Sequence, residues 1–498
     1  MSSPNATPLK ILFASSEAQP LIKTGGLADV AGSLPTALTH FGHDVHLVLP
    51  AYPEAVENAV PLNNEATLQI PGFLTPVQIL KGKIGERVTL YLVDAPGMFD
   101  RPGNPYVDAN GNDWPDNPER FTLFSRVVAA IALNQTGFNW QPDIVHCNDW
   151  QTGLVPALLA GEWNRPATVF TIHNMAYQGV YDRETFDRLG LPEELWSYDG
   201  LEYHDNLSFL KGGIAFSDWV NTVSPSYAKE ILTHEFGYGL EGLLSHRGER
   251  LAGVLNGIDY DVWNPASDPA ISQPFDASTF SLKKTNKLKL QQEMGLPADE
   301  NALLFGHIGR LVSQKGVDLI LDILPSLMHK ENAQIVILGS GDPELERQVK
   351  IAAERHPEKT AVFIGYDEAL AHRIEAGCDC FLMPSRFEPC GLNQLYSLRY
   401  GTVPIVHSTG GLADTVVDAT PNNLLNGSAT GFALDTPSSE ALWECIERVF
   451  ELRKRPAIWW EKLATTGMKQ DFSWDASALH YQDIYRQAID NPAPNPIA

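Results

Sequence analysis

Two cations stand close together in Ile308-Gly-Arg310-Leu-Val-Ser-Gln-Lys315-Gly316, directly after an apolar run that reads as a strand. Open α/β sheets bind ligands beyond the carboxyl ends of their strands. Arg310 and Lys315 there suit a diphosphate, holding its charge and stabilising it as a leaving group. The alternative is that each pairs with a nearby acid. A third cation, Lys23, directly precedes Thr24-Gly25-Gly26-Leu27-Ala28-Asp29, and that hexapeptide recurs as Thr409-Gly410-Gly411-Leu412-Ala413-Asp414. Each copy follows a strand pattern and leads into a helical one. Paired glycines at such a turn let backbone N–H groups approach a ligand, and a helix N-terminus favours anions. Lys23 beside the first copy can meet a phosphate as a point charge, or be a solvated surface lysine. Neither copy is G-x-G-x-x-G or G-x-x-x-x-G-K-[ST], so a dinucleotide or Walker-type site has no support.

A carboxylate supplies the next element. In Met383-Pro-Ser-Arg-Phe-Glu388-Pro-Cys390-Gly391-Leu392 a strand ends at Pro384 and a helix starts near Gly391. Glu388 is then placed in the crevice beyond the strand, or caps the helix. Pro389 and Gly391 fix an unusual turn around it, which favours a ligand. His146-Cys-Asn-Asp149-Trp150 and Thr171-Ile-His173-Asn174 also follow strands. Their polar groups suit sugar hydroxyls, and Trp150 suits stacking on a sugar ring. Two histidines near one aspartate also suit a metal, although a third ligand is missing. Cys378-Asp-Cys380 resembles half a metal site, but it heads a buried strand and has no second pair at ligand spacing. His43, His46, His307 and His407 sit in or beside apolar strands and read as structural.

These residues need a scaffold, and the chain of 498 residues is long enough for two to four domains. Apolar runs start at Ile11, Val45, Val88, Ile144, Val169 and Val220, then at Leu303, Ile335, Val362, Phe381 and Val403. Helix-length segments, such as Phe121 to Leu133, separate them. Runs apolar on both faces with helices between predict parallel sheets of βαβ units. A turn-rich stretch from Asn256 to about Ser281 reads as a linker between two doubly wound domains, with one glycine loop in each facing a shared cleft. The tail Asn491-Pro-Ala-Pro-Asn-Pro is expected to fray.

Composition removes other classes. Lys plus Arg is 36 and Asp plus Glu is 61, a net charge of −25, so a nucleic-acid partner is not expected. No apolar stretch is long enough for a membrane span. Residues 1–8 lack the basic and apolar regions of a secretory signal. Five cysteines, odd and sparse, fit a reducing cytosol.

Several blocks together carry a resemblance. They are Lys23-Thr-Gly-Gly-Leu-Ala-Asp29, His173-Asn-Met-Ala-Tyr-Gln-Gly179, Ser208-Phe-Leu-Lys-Gly-Gly213, Thr222-Val-Ser-Pro-Ser-Tyr227, Asn256-Gly-Ile-Asp259, Arg310 to Gly316, Glu388-Pro-Cys-Gly-Leu392 and Ser408-Thr-Gly-Gly-Leu412. In this order they resemble the signature blocks of bacterial glycogen synthases and plant starch synthases, across nearly the whole chain. The resemblance implies the GT-B fold: two Rossmann-like, doubly wound parallel-sheet α/β domains facing an interdomain cleft. It implies an acceptor domain over residues 1–252, with a C-terminal helix over 476–492 returning to it, and a donor domain over 253–475. It implies transfer of glucose from ADP-glucose to the non-reducing end of an α-1,4-glucan (glycogen), with retention, in the cytoplasm and without metal or cofactor.

Roles follow residue by residue from that resemblance. Arg310 and Lys315 would neutralise the diphosphate. Thr409, Gly410 and Gly411 would offer it backbone contacts, and Lys23 and Gly26 would complete the site. Glu388 would contact the donor glucose, beside Cys390, Gly391 and Leu392. Tyr366 would pack on the adenine and Asn256 on the donor sugar. His173 would stand beside the reacting carbon, with Asp29, Asp149, Trp150 and Asn174 on the acceptor side. Two positions depart from wider patterns. Many retaining GT-B enzymes carry Glu-x7-Glu, but Tyr396 stands where the second Glu would be, as it does in glycogen and starch synthases. The usual His-x-His-Asp-Trp-His appears with Asn148 and Gln151 in place of the last two histidines. A phosphorylase would need a lysine-bound pyridoxal phosphate and a longer chain. A sucrose- or trehalose-type transferase fits Tyr396 and the Lys23 loop less well. A non-enzymatic glucan binder has no use for Arg310, Lys315 and Glu388 together.

Overall fold

The computed structural model describes residues 7–59, 61–108 and 110–497. Most of the N-terminal stretch read above for a leader lies outside them. Contacts divide the chain into two units, Met1–Gly257 with Trp474–Ala498, and Ile258–Ser473. Among the described residues no helix is long and apolar enough to cross a membrane.

The first unit carries β1 (Lys10–Ala14), β2 (Asp44–Pro50), β3 (Asn63–Leu68), β4 (Val77–Ile84), β5 (Val88–Asp94), β6 (Ile144–Asn148), β7 (Ala167–Ile172), β8 (Val180–Asp182), β9 (Glu202–Tyr203), β10 (Asn206–Ser208), β11 (Trp219–Thr222) and β12 (Leu251–Gly253). Nine of them form one sheet in the order β12-β11-β7-β6-β1-β2-β5-β4-β3. It is parallel from β12 to β5 and antiparallel at β4 and β3. The strand order reverses between β1 and β6, where Ile11 faces Ile144 in register. Strands β8, β10 and β9 make a small separate sheet.

The second unit carries β13 (Leu303–Ile308), β14 (Ala333–Gly339), β15 (Thr360–Ile364), β16 (Cys380–Met383), β17 (Val403–His407) and β18 (Phe432–Leu434). They form one parallel sheet, β15-β14-β13-β16-β17-β18, whose order reverses between β13 and β16. Side chains alternate across it, as the strand period requires. Leu303, Phe305, Ile335 and Ile337 pack on one face with Ile320, Leu324, Ile446 and Val449. Leu304, Val336 and Leu338 pack on the other with Leu370, Ile374 and Tyr400. Helices on both faces are what allow β14 to be buried at every residue.

The apolar runs named from sequence all become strands. Edge strand β3 has no apolar run to read, because Asn63-Asn-Glu-Ala-Thr-Leu68 is largely exposed. Two expectations change. The stretch from Asn256 to Ser281 is not a free linker. Trp263, Ile271 and Phe275 join the core of the second unit, and the Trp263 ring stacks on Tyr396 and His372 at 3.8 Å each. The tail is also tied down, since the Ala493 N–H donates to Asp218 at 2.9 Å. An unpaired carboxylate buried at Asp218 would be costly, and the tail shares its satisfaction with Arg165, at 2.6 Å.

The C-terminal helix Trp474–Asp490 is bound to the first unit by a buried polar network. Tyr481 and Tyr485 are fully buried. Asn221 accepts from Thr171 Oγ1 at 2.8 Å and donates to the Tyr481 hydroxyl at 3.3 Å. Thr171 Oγ1 therefore accepts from His146 Nε2 at 2.6 Å, leaving His146 Nδ1 to accept from the Tyr485 hydroxyl at 2.8 Å. Burial pushes the His146 pKa down to about 3, which keeps the ring neutral as this pattern needs. Tyr485→Ala should cost about 3–5 kcal/mol through the cavity it leaves. It also strands His146 Nδ1, so the urea midpoint of the chain should fall.

Candidate active site

In the second unit, the candidate residues other than Tyr366 fall on loops after β13, β16 and β17, beside the reversal in strand order. After β13 the chain runs through Arg310 to a turn at Ser313–Lys315 and then Gly316, whose φ of 72° favours glycine. A Cβ there would strike the Pro384 carbonyl at the end of β16. Lys315 Nζ donates to Glu388 Oε2 at 2.6 Å. Gln314 ties the same two loops, its side-chain amide donating to the Phe387 carbonyl at 2.9 Å and its carbonyl accepting from the Arg386 N–H at 2.8 Å. Arg386 forks onto both oxygens of Asp318, at 2.8 and 2.6 Å. Arg310 is exposed and donates to Gln314 Oε1 at 3.2 Å.

Glu388 is buried, and its backbone is pinned from the β17 side. The Gly411 N–H donates to the carbonyls of Glu388 and Pro389, at 3.3 and 3.1 Å. A Cβ on Gly410 would strike the Glu388 carbonyl, and one on Gly411 the Cys390 carbonyl. Thr409, Gly410, Gly411 and Cys390 are buried, with Gly391 and Leu392 half-buried beside them. The following helix, Asn393–Arg399, has no side-chain N-cap, so Glu388 does not cap it and faces Lys315 instead. Tyr366, after β15, is 73% exposed. Tyr396, at the Glu-x7-Glu position, is a core residue stacked on Trp263.

In the first unit the candidates follow β1, β6 and β7. Lys23 Nζ bonds Asp29 Oδ1 at 2.7 Å. The loop from Lys23 to Gly26 is exposed and wraps around Glu17, which sequence reading passed over. Glu17 is buried, and its Oε2 accepts from Thr24 Oγ1 at 2.8 Å, the Gly25 N–H at 3.2 Å and the Thr24 N–H. Its Oε1 accepts from the Tyr106 hydroxyl at 3.2 Å. Desolvation raises its pKa against these bonds. The available signal was position: a carboxylate three residues past β1, ahead of a glycine turn.

Asp149, directly after β6, has a φ of 57°, unusual for a residue with a Cβ. Its Oδ1 accepts from the N–H groups of His173 and Asn174, at 2.7 and 3.4 Å. Burial still raises its pKa to about 7. His173 Nε2 meets Asn148 Oδ1 at 2.9 Å, and Asn148 Nδ2 donates to the Ala14 carbonyl at 3.0 Å. Asn148 Oδ1 is thus the acceptor, the proton sits on His173 Nε2, and Nδ1 keeps its lone pair. Burial lowers the His173 pKa to about 3, so the ring is neutral. Asn256 is buried and its Oδ1 has no hydrogen-bond partner among the described residues.

Comparison with known proteins decides the family. Residues 10–246 match the starch synthase catalytic domain profile, and residues 289–463 match glycosyl transferases group 1. The chain is 53% identical to glycogen synthase 2 of Nitrosococcus oceani over 481 residues, covering 96% of this chain and 97% of that one. It is 54% identical to glycogen synthase 1 of Methylococcus capsulatus over 482 residues, 97% of each. The chain belongs to the glycogen synthase family. Among solved structures, the catalytic domain of starch synthase IV from Arabidopsis thaliana, bound to ADP and acarbose, matches with a TM-score of 0.88 at 34% identity. That match covers 97% of this chain and 100% of that one. Sucrose-phosphate synthase from Thermosynechococcus elongatus matches at a TM-score of 0.60 and 17% identity, over 96% of this chain and 98% of that one, which shows a shared fold. The two parallel-sheet units are those of the GT-B glycosyltransferases.

Within this glycogen synthase-family chain the role expected for Trp150 changes. Its ring is 9% exposed and packed among Phe121, Phe209 and Tyr181, at 5.0, 6.0 and 6.4 Å between centroids. The Cβ missing from Gly179 would strike it as well. The ring is core and has no free face for a sugar. The histidines expected as structural or as metal ligands have protein partners: His146 as above, His307 Nδ1 on the Leu382 carbonyl at 2.9 Å, and His407 Nδ1 on the Ser385 carbonyl at 2.8 Å. No group of three or more His, Cys, Asp or Glu suited to a metal occurs among the described residues.

The raised pKa of Asp149 fixes a sign. The folded state holds a proton at Asp149 that the unfolded state releases near pH 4, so the contribution of Asp149 to stability should fall as pH rises from about 4 to 7. Asp149→Asn removes that dependence. Its urea midpoint relative to wild type should rise between pH 5 and pH 8.

Proposed function

We propose that the chain transfers glucose from ADP-glucose to the non-reducing end of an α-1,4-glucan, with retention at the anomeric carbon. The observation that carries this reading is the Lys315–Glu388 pair at 2.6 Å, set at the reversal of strand order and walled by Gly410 and Gly411. The diphosphate of the donor brings negative charge to a cation that already faces a sugar-binding carboxylate. Arg310 and Lys315 take the diphosphate, with Thr409, Gly410 and Gly411 against it, and Glu388 turns to donor hydroxyls near Cys390, Gly391 and Leu392. Tyr366 covers the adenine. Lys23 and Gly26 also contact the donor, and Asn256 Oδ1, which has no hydrogen-bond partner among the described residues, accepts a sugar hydroxyl.

The bond from the anomeric carbon to the diphosphate breaks as the acceptor 4-oxygen bonds to that carbon. The acceptor proton passes to the departing diphosphate. A cationic sugar and an anionic leaving group develop together, so stabilisation is electrostatic and positional. His173 is neutral and oriented by Asn148, so it offers an acceptor lone pair near the sugar without adding positive charge. Asn174, Asp29 and Asp149 serve the acceptor side. We assign the chain to the cytoplasm, in keeping with five buried cysteines that form no disulfide.

Lys315→Ala should lower kcat on the order of 10²–10³-fold, as loss of one transition-state charge contact does, while leaving the KM for glycogen unchanged. Incorporation from ADP-, UDP- and GDP-glucose onto a glycogen primer, with Glu388→Ala alongside, checks it. No incorporation from any donor would overturn the reading.

A further inference from the structure

Arg120 is one of the largest side chains enclosed in the protein, at 1% exposure. Arginine keeps its proton in proteins, and a buried charge is costly unless an acid balances it. Burial accordingly lowers the Arg120 pKa. Yet none of its hydrogen bonds among the described residues reaches a carboxylate. Its Nε donates to the Met98 carbonyl at 2.7 Å, and its Nη1 donates to the Pro105 carbonyl at 2.9 Å and to Asn117 Oδ1 at 2.7 Å. Asp116, the acid beside it in sequence, is held instead by Arg101 at 2.7 Å. Two of the three acceptors are carbonyls of the loop between β5 and the helix Asn117–Ala132. The third passes the tie on, since Asn117 Nδ2 donates to the Tyr106 carbonyl at 2.9 Å, where the Trp114 N–H also donates at 3.1 Å. A buried cation directed at main-chain carbonyls fixes a loop, and this loop carries Tyr106.

Tyr106 reaches across 89 residues of sequence, its hydroxyl donating to Glu17 Oε1 at 3.2 Å. The hydroxyl has one proton, so it accepts from Ser16 Oγ at 2.7 Å. Burial, reinforced by the nearby Glu17, raises the Tyr106 pKa well above its ordinary value and keeps that proton in place. The other oxygen of Glu17 takes the Thr24 hydroxyl and the Thr24 and Gly25 N–H groups. Lys23 is the next residue. Packing does not fix this loop, because a Cβ on Gly25 would meet nothing within 4 Å. Its course therefore depends on where Glu17 points, and Glu17 is aimed by Tyr106. We propose that Arg120 is a positioning residue for the reaction, setting the Lys23 loop through Asn117, Tyr106 and Glu17. The proposal rests on the reading of Lys23 as a donor contact and deepens it: the cation works at full strength only while this buried network holds its loop.

Arg120→Lys keeps the charge and loses the planar fork. Tyr106→Phe removes a single oxygen and leaves Arg120 in place, so it carries the same test should the lysine variant fail to fold. The linkage is read first without substrate, by hydrogen exchange of the full chain. Peptides covering residues 23–27 should exchange faster in both variants, while those from β1 and β6 keep wild-type protection. Unchanged exchange at residues 23–27, or an equal rise in every peptide, overturns the proposal. The consequence is then read as a double-mutant cycle in the transfer assay. Each variant should lower kcat/KM for ADP-glucose on the order of tenfold, as a displaced contact does. In a Lys23→Ala background the further loss should be less than about twofold, because the residue being positioned is already gone. Equal losses in both backgrounds mark a merely structural role and overturn the proposal. Faster exchange at residues 23–27 with no transfer from any donor, in wild type or variant, would instead defeat the functional reading and leave the linkage standing.

Discussion

The close approach of three backbone segments at the carboxyl edge of the second sheet governs the residues proposed to hold the donor. The loop after β13 touches the end of β16 at Gly316 and Pro384, and the loop after β17 touches Glu388 and Cys390 at Gly410 and Gly411. Each contact is with a carbonyl oxygen, which cannot swing aside as a side chain can. A Cβ at any of the three would have to push a loop away. The glycines therefore fix where the Glu388 main chain runs, and a short carboxylate on a fixed main chain has few directions left. One of them meets Lys315.

That pairing resolves an electrostatic problem. Lys315 and Glu388 are both partly withdrawn from water, with side chains 21% and 10% exposed. A lone charge there would be costly, and a salt bridge in such surroundings is better read as mutual satisfaction than as a source of stability. Each partner satisfies the other, and in the proposed reaction a diphosphate and a sugar would take over from each. A net charge of −25 is compatible with the proposed reaction because a few placed cations, not the average charge, would meet the phosphates.

The sequence made the sheets legible because strands buried on both faces are continuous apolar runs. It made Arg310, Lys315 and Glu388 legible because charged residues directly after such runs must lie at a sheet edge. It was silent where position depends on long-range packing. Trp150 follows β6 like a ligand residue, yet its ring is enclosed by Phe121, Phe209 and Tyr181, from elements that no local pattern relates to it. Trp263 lies in a stretch rich in turn residues, and only the fold shows that it stacks between His372 and Tyr396. Asn148 read as a loss from a histidine motif, but its amide orients His173 from below.

The repeated hexapeptide shows why local sequence alone underdetermines a site. In the second unit, the Gly410 and Gly411 turn is buried and shaped by contact with neighbouring carbonyls. In the first unit, the Gly25 and Gly26 turn is exposed, and a Cβ on Gly25 would meet nothing within 4 Å. What shapes that copy is the buried carboxylate of Glu17, which draws the Thr24 and Gly25 N–H groups inward. One loop is held by close packing and hydrogen bonds to backbone carbonyls, and the other by hydrogen bonds to a carboxylate. Only the second kind of restraint depends on a titratable group, so conformational sensitivity to pH belongs to the first unit's loop. The same logic extends to Asp149, whose carboxylate anchors His173 and Asn174 through backbone N–H groups. Buried carboxylates thus order both of these first-unit loops from within.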